Sequence, residues 1–164
     1  GMRAGTMVTS AKSLFNSYAE NPDILFTFRE MTRCIKKMQF QSLAMSMTML
    51  KIKNNKLLMS AAGMPPVYIF RRENRVIEEH LMKGMPLGTM ENFPYELKEL
   101  NLLKGDTLLL MSDGYPELQS DKNEMFGYKR AKNSFEEVAE KEPDEIISYL
   151  KEEVKKDQQN RYRL

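Results

Sequence analysis

The sequence has one cysteine, one histidine and no tryptophan, and these shortages limit what the protein can be. Because Cys34 has no second cysteine to pair with, the chain forms no internal disulfide, which is typical of a reducing cytoplasm. A net charge of only +2 gives no electrostatic reason to expect nucleic acid or a membrane surface as a partner. No apolar run approaches the roughly 20 residues that a membrane-spanning helix needs. We therefore expect a cytoplasmic protein that binds neither nucleic acid nor membrane.

The composition that remains is that of an ordinary globular domain. Hydrophobic residues make up 41% of the 164 positions and charged residues 29%, and this length suits one hydrophobic core. Gly1 before Met2 is typical of a cleaved expression tag. We therefore predict a single domain over residues 2–164.

Apolar spacing predicts two helices at the start of the chain. The first has one apolar face, formed by Met7, Ala11, Leu14, Phe15 and Tyr18. For the second, Asn21 is predicted as the N-cap and Pro22 as the first helical position, with the helix continuing to about Lys37.

From residue 43 the apolar period changes to two, which predicts strands. Asn54-Asn55 indicates a hairpin turn, because asparagine tolerates positive φ. Further strands are predicted at 57–62, 67–70, 76–77, 95–100 and 107–111. Helices return from about residue 128, and Pro143 begins the last one. This order predicts an α+β fold, an antiparallel β-sheet or sandwich flanked by helices.

One stretch, KGDTLLLMSDGYPE (104–117), raises a chemical question. Four apolar residues, 108–111, run directly into Ser112, Asp113 and Gly114. Asp-Gly is a common turn pair, so Asp113 could simply cap a turn. Alternatively, a strand could mount the Asp113 carboxylate where it binds a cation, while Gly114 lets the backbone turn away.

This stretch is one of four motifs that occur in a fixed order. AAGMPPVYIF (61–70) and GMPLGTM (84–90) precede it, and MFGYKR (125–130) follows it. The series resembles the serine phosphatases of the stage II sporulation protein E type, a bacterial branch of the protein phosphatase 2C-like superfamily. The first helix, RAGTMVTSAKSLF, also looks like that of the family.

The resemblance implies a metal-dependent hydrolase. Such phosphatases hold two Mg²⁺ or Mn²⁺ ions in carboxylate oxygens, and a bridging water attacks phosphorus without a phosphoenzyme. The aspartate of the family's (Thr or Ser)-Asp-Gly motif is a metal ligand, so the metal residues implied here are Asp113 and the adjoining Gly114. The implied substrate is phosphoserine or phosphothreonine on a signalling protein, such as an anti-sigma-factor antagonist.

The sequence also departs from the family pattern, so we expect a partial phosphatase domain. The family's Asp-x-Ser-Gly-x-Gly segment and its later Asp-Asp segment do not occur in the sequence, and Met64 stands where the family has His or Asn. One carboxylate cannot hold two hydrated cations, which leaves open that the chain binds no metal. We expect little activity, and the alternative function is a non-catalytic regulatory or dimerisation module. Strands missing from such a fold would leave open edges, which predicts a homo-oligomer.

Other candidate residues are predicted to have structural roles. Asp106 is expected to serve the turn before the last strand, whereas Glu117 and Asp121 are expected on a solvated loop. His80 is predicted at the surface end of an edge strand, and Cys34 at the boundary of the core. The arginines Arg71, Arg72 and Arg75 could attract a phosphate, but a solvated hairpin tip is the favoured interpretation.

Overall fold

The computed structural model describes residues 2–38, 43–119 and 123–160, which fold into two compact units. The first unit comprises Gly1–Met64 and Met82–Leu102, and the second comprises Pro65–Leu81 and Leu103–Leu164. Within the described residues, each unit contains a three-stranded antiparallel sheet and two helices. The α+β prediction, with antiparallel sheets and flanking helices, is confirmed. That residues 2–164 form a single domain stays a prediction.

The helices of the first unit are α1 (Met2–Tyr18) and α2 (Ile24–Lys37). Asp23 is the N-cap of α2, because its Oδ1 accepts hydrogen bonds from the amides of Leu25 (2.8 Å) and Phe26 (3.0 Å). The prediction of Asn21 as the N-cap is therefore wrong. Asn21 lies outside the helix, and its side chain instead accepts a bond from the Asp23 amide.

The sheet of the first unit has the order β1-β2-β5, with β1 at Met47–Lys53, β2 at Lys56–Ala62 and β5 at Lys98–Asn101. The β1–β2 hairpin turns at Asn54 (φ 49°) and Asn55 (φ 62°), as predicted. The core cluster lies between the helices and the sheet. Its buried members are Met7, Ala11, Ile24, Phe28, Met31, Ile35, Met49, Ala62 and Leu87.

In the second unit the strand order is β4-β3-β6, with β3 at Val67–Arg71, β4 at Val76–His80 and β6 at Thr107–Leu109. Its helices are α3 (Tyr128–Val138) and α4 (Pro143–Asn160). The core joins β3 and β4 to both helices. Its buried residues are Tyr68, Phe70, Ile77, Phe135, Val138, Ala139, Ile146 and Leu150.

β6 is shorter and less buried than its apolar sequence predicts. The strand ends at Leu109, and Leu110 is 42% exposed. The reason is its position: among the described residues, β6 pairs with β3 alone, so an edge strand rather than a central one carries this apolar run. Asp113 therefore does not follow a buried strand, although the four consecutive apolar residues 108–111 would suggest one.

The described helices include none that is both long enough and apolar enough to cross a bilayer. The described part of each sheet has two edge strands, β1 and β5 in the first unit and β4 and β6 in the second.

Candidate functional site

The candidate metal residue Asp113 lies in an exposed turn that is anchored on both sides. Two residues before it, Met111 packs against the core of the second unit, and two residues after it, so does Tyr115. The Tyr115 ring meets the Phe126 ring edge-on at 5.4 Å, and its hydroxyl donates to the Leu150 carbonyl oxygen at 3.1 Å. Half-buried residues on both sides thus hold a turn whose Asp113 side chain is exposed.

The turn does not depend on the special conformational freedom of glycine. Gly114 is not among the residues with positive φ, and a Cβ added there would approach only the Ser112 Oγ, at 3.4 Å. The turn closes instead through a hydrogen bond from the Glu117 amide to the Asp113 carbonyl oxygen at 2.9 Å. The sequence-based reason for a glycine at this position is therefore wrong.

Two carboxylates of the turn act on Tyr128, the first residue of α3. Burial raises the pKa of the Tyr128 hydroxyl, and the negative charges of Glu117 and Asp113 raise it further. Glu117 is exposed, as predicted, while Asp121 lies outside the described residues. Both carboxylates that act on Tyr128, those of Asp113 and Glu117, are open to solvent.

Asp106 belongs to a different structure, a buried clamp around Arg71. The Asp106 side chain is 1% exposed, and its Oδ2 accepts from Arg71 Nη1 at 2.8 Å. It also accepts from the amides of Leu103 (3.0 Å) and Arg72 (3.1 Å). Arg71 completes the clamp by donating to Glu78 Oε2 at 2.8 Å. Asp106 thus fixes the turn before β6, as predicted, and its oxygens are committed to these donors.

Because of the clamp around Arg71, we expect the free energy of unfolding to fall in acid. Burial raises the pKa of Asp106, but hydrogen bonds from Leu103, Arg71 and Arg72 outweigh burial, so the pKa lies below its ordinary value. The hydrogen bond from Arg71 likewise lowers the pKa of Glu78. A carboxyl with a lowered folded-state pKa stabilises the fold above its unfolded pKa and loses that contribution as the pH falls through the folded-state value. The ordinary pKa is 3.8 for an aspartate and 4.5 for a glutamate. Urea unfolding midpoints should therefore fall between about pH 5 and pH 3, and less steeply in Asp106→Asn.

The hairpin that contains Arg71 differs from the predicted solvated tip. Arg71 is only 15% exposed, because it is drawn inward by the two carboxylates. Arg72 and Arg75 are exposed, as predicted, and both pair with Glu140. The sequence could not reveal this difference, since Asp106 lies 35 residues away.

His80 and Cys34 have no catalytic arrangement around them in the described residues. His80 ends the edge strand β4, as predicted, and its side chain is 14% exposed; that it has a surface or capping role stays a prediction. Its Nε2 lies 3.1 Å from Glu78 Oε2. Cys34 is a free, half-buried thiol, as predicted for a boundary residue.

The described residues do not fit a two-metal centre. No group of three or more His, Cys, Asp or Glu side chains in residues 2–38, 43–119 and 123–160 lies close enough to hold a metal ion. A hard divalent cation takes about six oxygen ligands, and a pair of cations needs several shared carboxylates. Asp113 and Glu117 together supply fewer carboxylate ligands than a two-metal centre requires.

Comparison with known proteins assigns the chain to a family. The family model for Stage II sporulation protein E (SpoIIE) matches residues 1–163. The chain belongs to the SpoIIE family. The resemblance inferred from the four motifs is thereby confirmed. No curated protein matches the chain in sequence.

Solved structures share the SpoIIE-family fold at low sequence identity. The SiaA-PP2C domain of Pseudomonas aeruginosa aligns over 96% of the chain with a TM-score of 0.78 and 18% identity. The RsbU and RsbW domains of Rv1364c from Mycobacterium tuberculosis align over 96%, with a TM-score of 0.73 and 15% identity. The PP2C phosphatase domain of SpoIIE from Bacillus subtilis aligns over 93%, with a TM-score of 0.68 and 18% identity.

The SpoIIE-family chain matches only part of each of these structures. It covers 65% of the first and 44% of each of the other two, so it spans less than two thirds of their lengths. At these identities the likeness shows the protein phosphatase 2C-like fold alone.

Proposed function

We propose that the chain is part of a metal-dependent phosphatase that hydrolyses phosphoserine or phosphothreonine on a signalling protein, such as an anti-sigma-factor antagonist. The observation that supports this function is the SpoIIE-family match over residues 1–163, which includes the Ser112-Asp113-Gly114 motif. Asp113 is the proposed ligand to Mg²⁺ or Mn²⁺, with Gly114 beside it in the turn.

The described residues supply one part of the proposed metal centre. Asp113 is exposed, and the anchored residues on both sides hold it in place, which suits a ligand that must meet an ion from solvent. Because the described carboxylates do not complete the site, we propose that this chain alone does not turn over phosphate esters.

A second candidate function is a non-catalytic, phosphatase-like module that acts by binding a partner or by dimerising. The absence of a three-ligand cluster in the described residues favours it. Self-association through the open strand edges, the phosphorylated partner and a cytoplasmic location all stay predictions. The edges available in the described sheets are β1, β4, β5 and β6.

Metal binding and turnover can be separated in one set of samples. We expect no micromolar Mn²⁺ binding by calorimetry and no hydrolysis of p-nitrophenyl phosphate, since one carboxylate gives a weak site. Substoichiometric Mn²⁺ should still broaden the amide NMR signals of residues 112–117 selectively, because paramagnetic broadening detects weak sites. In Asp113→Asn this selective broadening should disappear.

Each outcome bears on a different part of the proposal. Micromolar binding and turnover that are both lost in Asp113→Asn would show a complete catalytic site and overturn the proposed inactivity. If the wild-type chain showed no selective broadening at residues 112–117, Asp113 would not be a metal ligand. The non-catalytic module would then be the better assignment. Glu78→Gln, a carboxylate change in the clamp, provides a control that should leave the broadening unchanged.

A further inference from the structure

A small pocket in the first unit lies away from the Asp113 turn in sequence. It has a volume of about 260 Å³ and is formed between one face of α2 and the loop 90–95. The helix contributes Leu25, Arg29 and Thr32, which are spaced four and three residues apart and so share a face. Ligand pockets for drug-sized molecules measure roughly 300–1,000 Å³. This pocket therefore suits a smaller ligand.

One wall of the pocket is rigid and aromatic. Tyr95 packs edge-on against the buried Phe28 at 5.1 Å and contacts Phe93 at 4.9 Å. The Tyr95 hydroxyl donates to the Met85 carbonyl oxygen at 2.9 Å, which fixes the orientation of the ring. Because the Tyr95 ring is held by packing and by this hydrogen bond, its apolar surface is already in place before a ligand binds. Binding therefore does not have to restrict the motion of this side chain.

The charge on the pocket comes from Arg29, which has no acidic partner among the described residues. The other arginines whose side chains are described all contact a carboxylate or an aromatic ring: Arg33, Arg71, Arg72, Arg75 and Arg130. Neighbouring acids are already engaged, Glu30 with Arg33 and Glu91 with Lys36 at 3.6 Å. The pocket thus presents an uncompensated guanidinium next to an apolar wall.

We propose that this pocket binds a small organic anion, with an apolar body against Phe93 and Leu25 and a carboxylate or phosphate group on Arg29. A guanidinium forms paired hydrogen bonds to the two oxygens of such a group. The Asn92 side chain also lines the pocket and adds an amide that can donate to the same group. This site is separate from the proposed metal chemistry and does not depend on it.

The test uses phenylphosphonate, benzoate, inorganic phosphate and benzyl alcohol as probes, without added metal. Both aromatic anions should bind more tightly than either inorganic phosphate or benzyl alcohol, and should shift the amide NMR signals of residues 90–95. A preference for phenylphosphonate over benzoate would identify a phosphate ligand, and the reverse order a carboxylate. Arg29→Gln should weaken the binding by about tenfold or more.

Arg33→Gln is the matched control, because Arg33 lies one turn further along α2 and is already paired with Glu30. It should leave the affinity unchanged within about twofold. Arg29 is exposed, so its substitution should not unfold the chain, and circular dichroism verifies this. The proposal is wrong if benzyl alcohol binds as tightly as the anions, if Arg29→Gln binds like the wild type, or if no probe shifts the 90–95 signals.

Discussion

We expect Asp106→Asn to lower the free energy of unfolding by about 3 kcal/mol, because it removes one partner of a largely buried ion pair. The Arg71 guanidinium is only 15% exposed and would keep a single carboxylate, that of Glu78. The asparagine NH₂ group would also face N–H groups that now donate to the Asp106 oxygens, and two donors cannot form a hydrogen bond with each other. For a chain of this size the loss should lower the melting temperature by about 6–12 °C.

Asp113→Asn is the matched control for this experiment, since it makes the same chemical change at an exposed carboxylate. It should change the free energy of unfolding by less than about 0.5 kcal/mol. Urea unfolding at neutral pH, followed by circular dichroism, measures both variants. Equal effects of the two substitutions would show that the Asp106 carboxylate contributes no more stability than an exposed one.

The second large effect is expected for Gly84→Ala. A Cβ at this position would lie 2.2 Å from the Ala61 carbonyl oxygen and 3.3 Å from the Ala62 Cα. Both alanines are fully buried in β2, where they pair with residues of β1, so their backbone cannot shift without disturbing the ladder. We expect the free energy of unfolding to fall by about 3 kcal/mol or more.

Gly5→Ala makes the same substitution where there is room for it. No heavy atom lies within 4 Å of the added Cβ, and the position is exposed within α1. Because alanine favours a helix over glycine by about 1 kcal/mol, this variant should be more stable than the wild type. Thermal melts of the two variants should therefore shift in opposite directions. If Gly84→Ala were as stable as the wild type, the backbone at Gly84 would not be packed tightly against β2.

The parts of the fold that were predictable depend on local signals. The Asn54-Asn55 turn is predictable because only a few residue types adopt positive φ at both positions. Along 43–49, Met49 is buried while Ala44 and Ser46 are exposed, so the period of two indicates the inner face, although β1 itself begins only at Met47. In α1, the predicted face held for Met7 and Ala11 but not for Phe15, which is 37% exposed. Apolar periodicity therefore locates the centre of a buried helix face more reliably than the edge of that face.

The features that could not be predicted depend on contacts between distant residues. Whether an apolar run such as 107–111 becomes a central or an edge strand depends on what lies beside it, which periodicity does not encode. Arg71 is part of a buried clamp only because Asp106 meets it from 35 residues away. For the candidate site, the Ser-Asp-Gly motif indicates Asp113 as a candidate, but neither its exposure nor the anchoring of its neighbours can be read from the motif.

The bond from the Tyr115 hydroxyl to Leu150 has a consequence for motion. The acceptor is a carbonyl within α4, so the Asp113 turn is tied to a helix that begins 30 residues later in the chain. Fraying of α4 back to Leu150 would remove that acceptor and release the turn. Amide exchange at residues 113–117 should therefore follow the opening of α4, as expected when two segments belong to one cooperative unit.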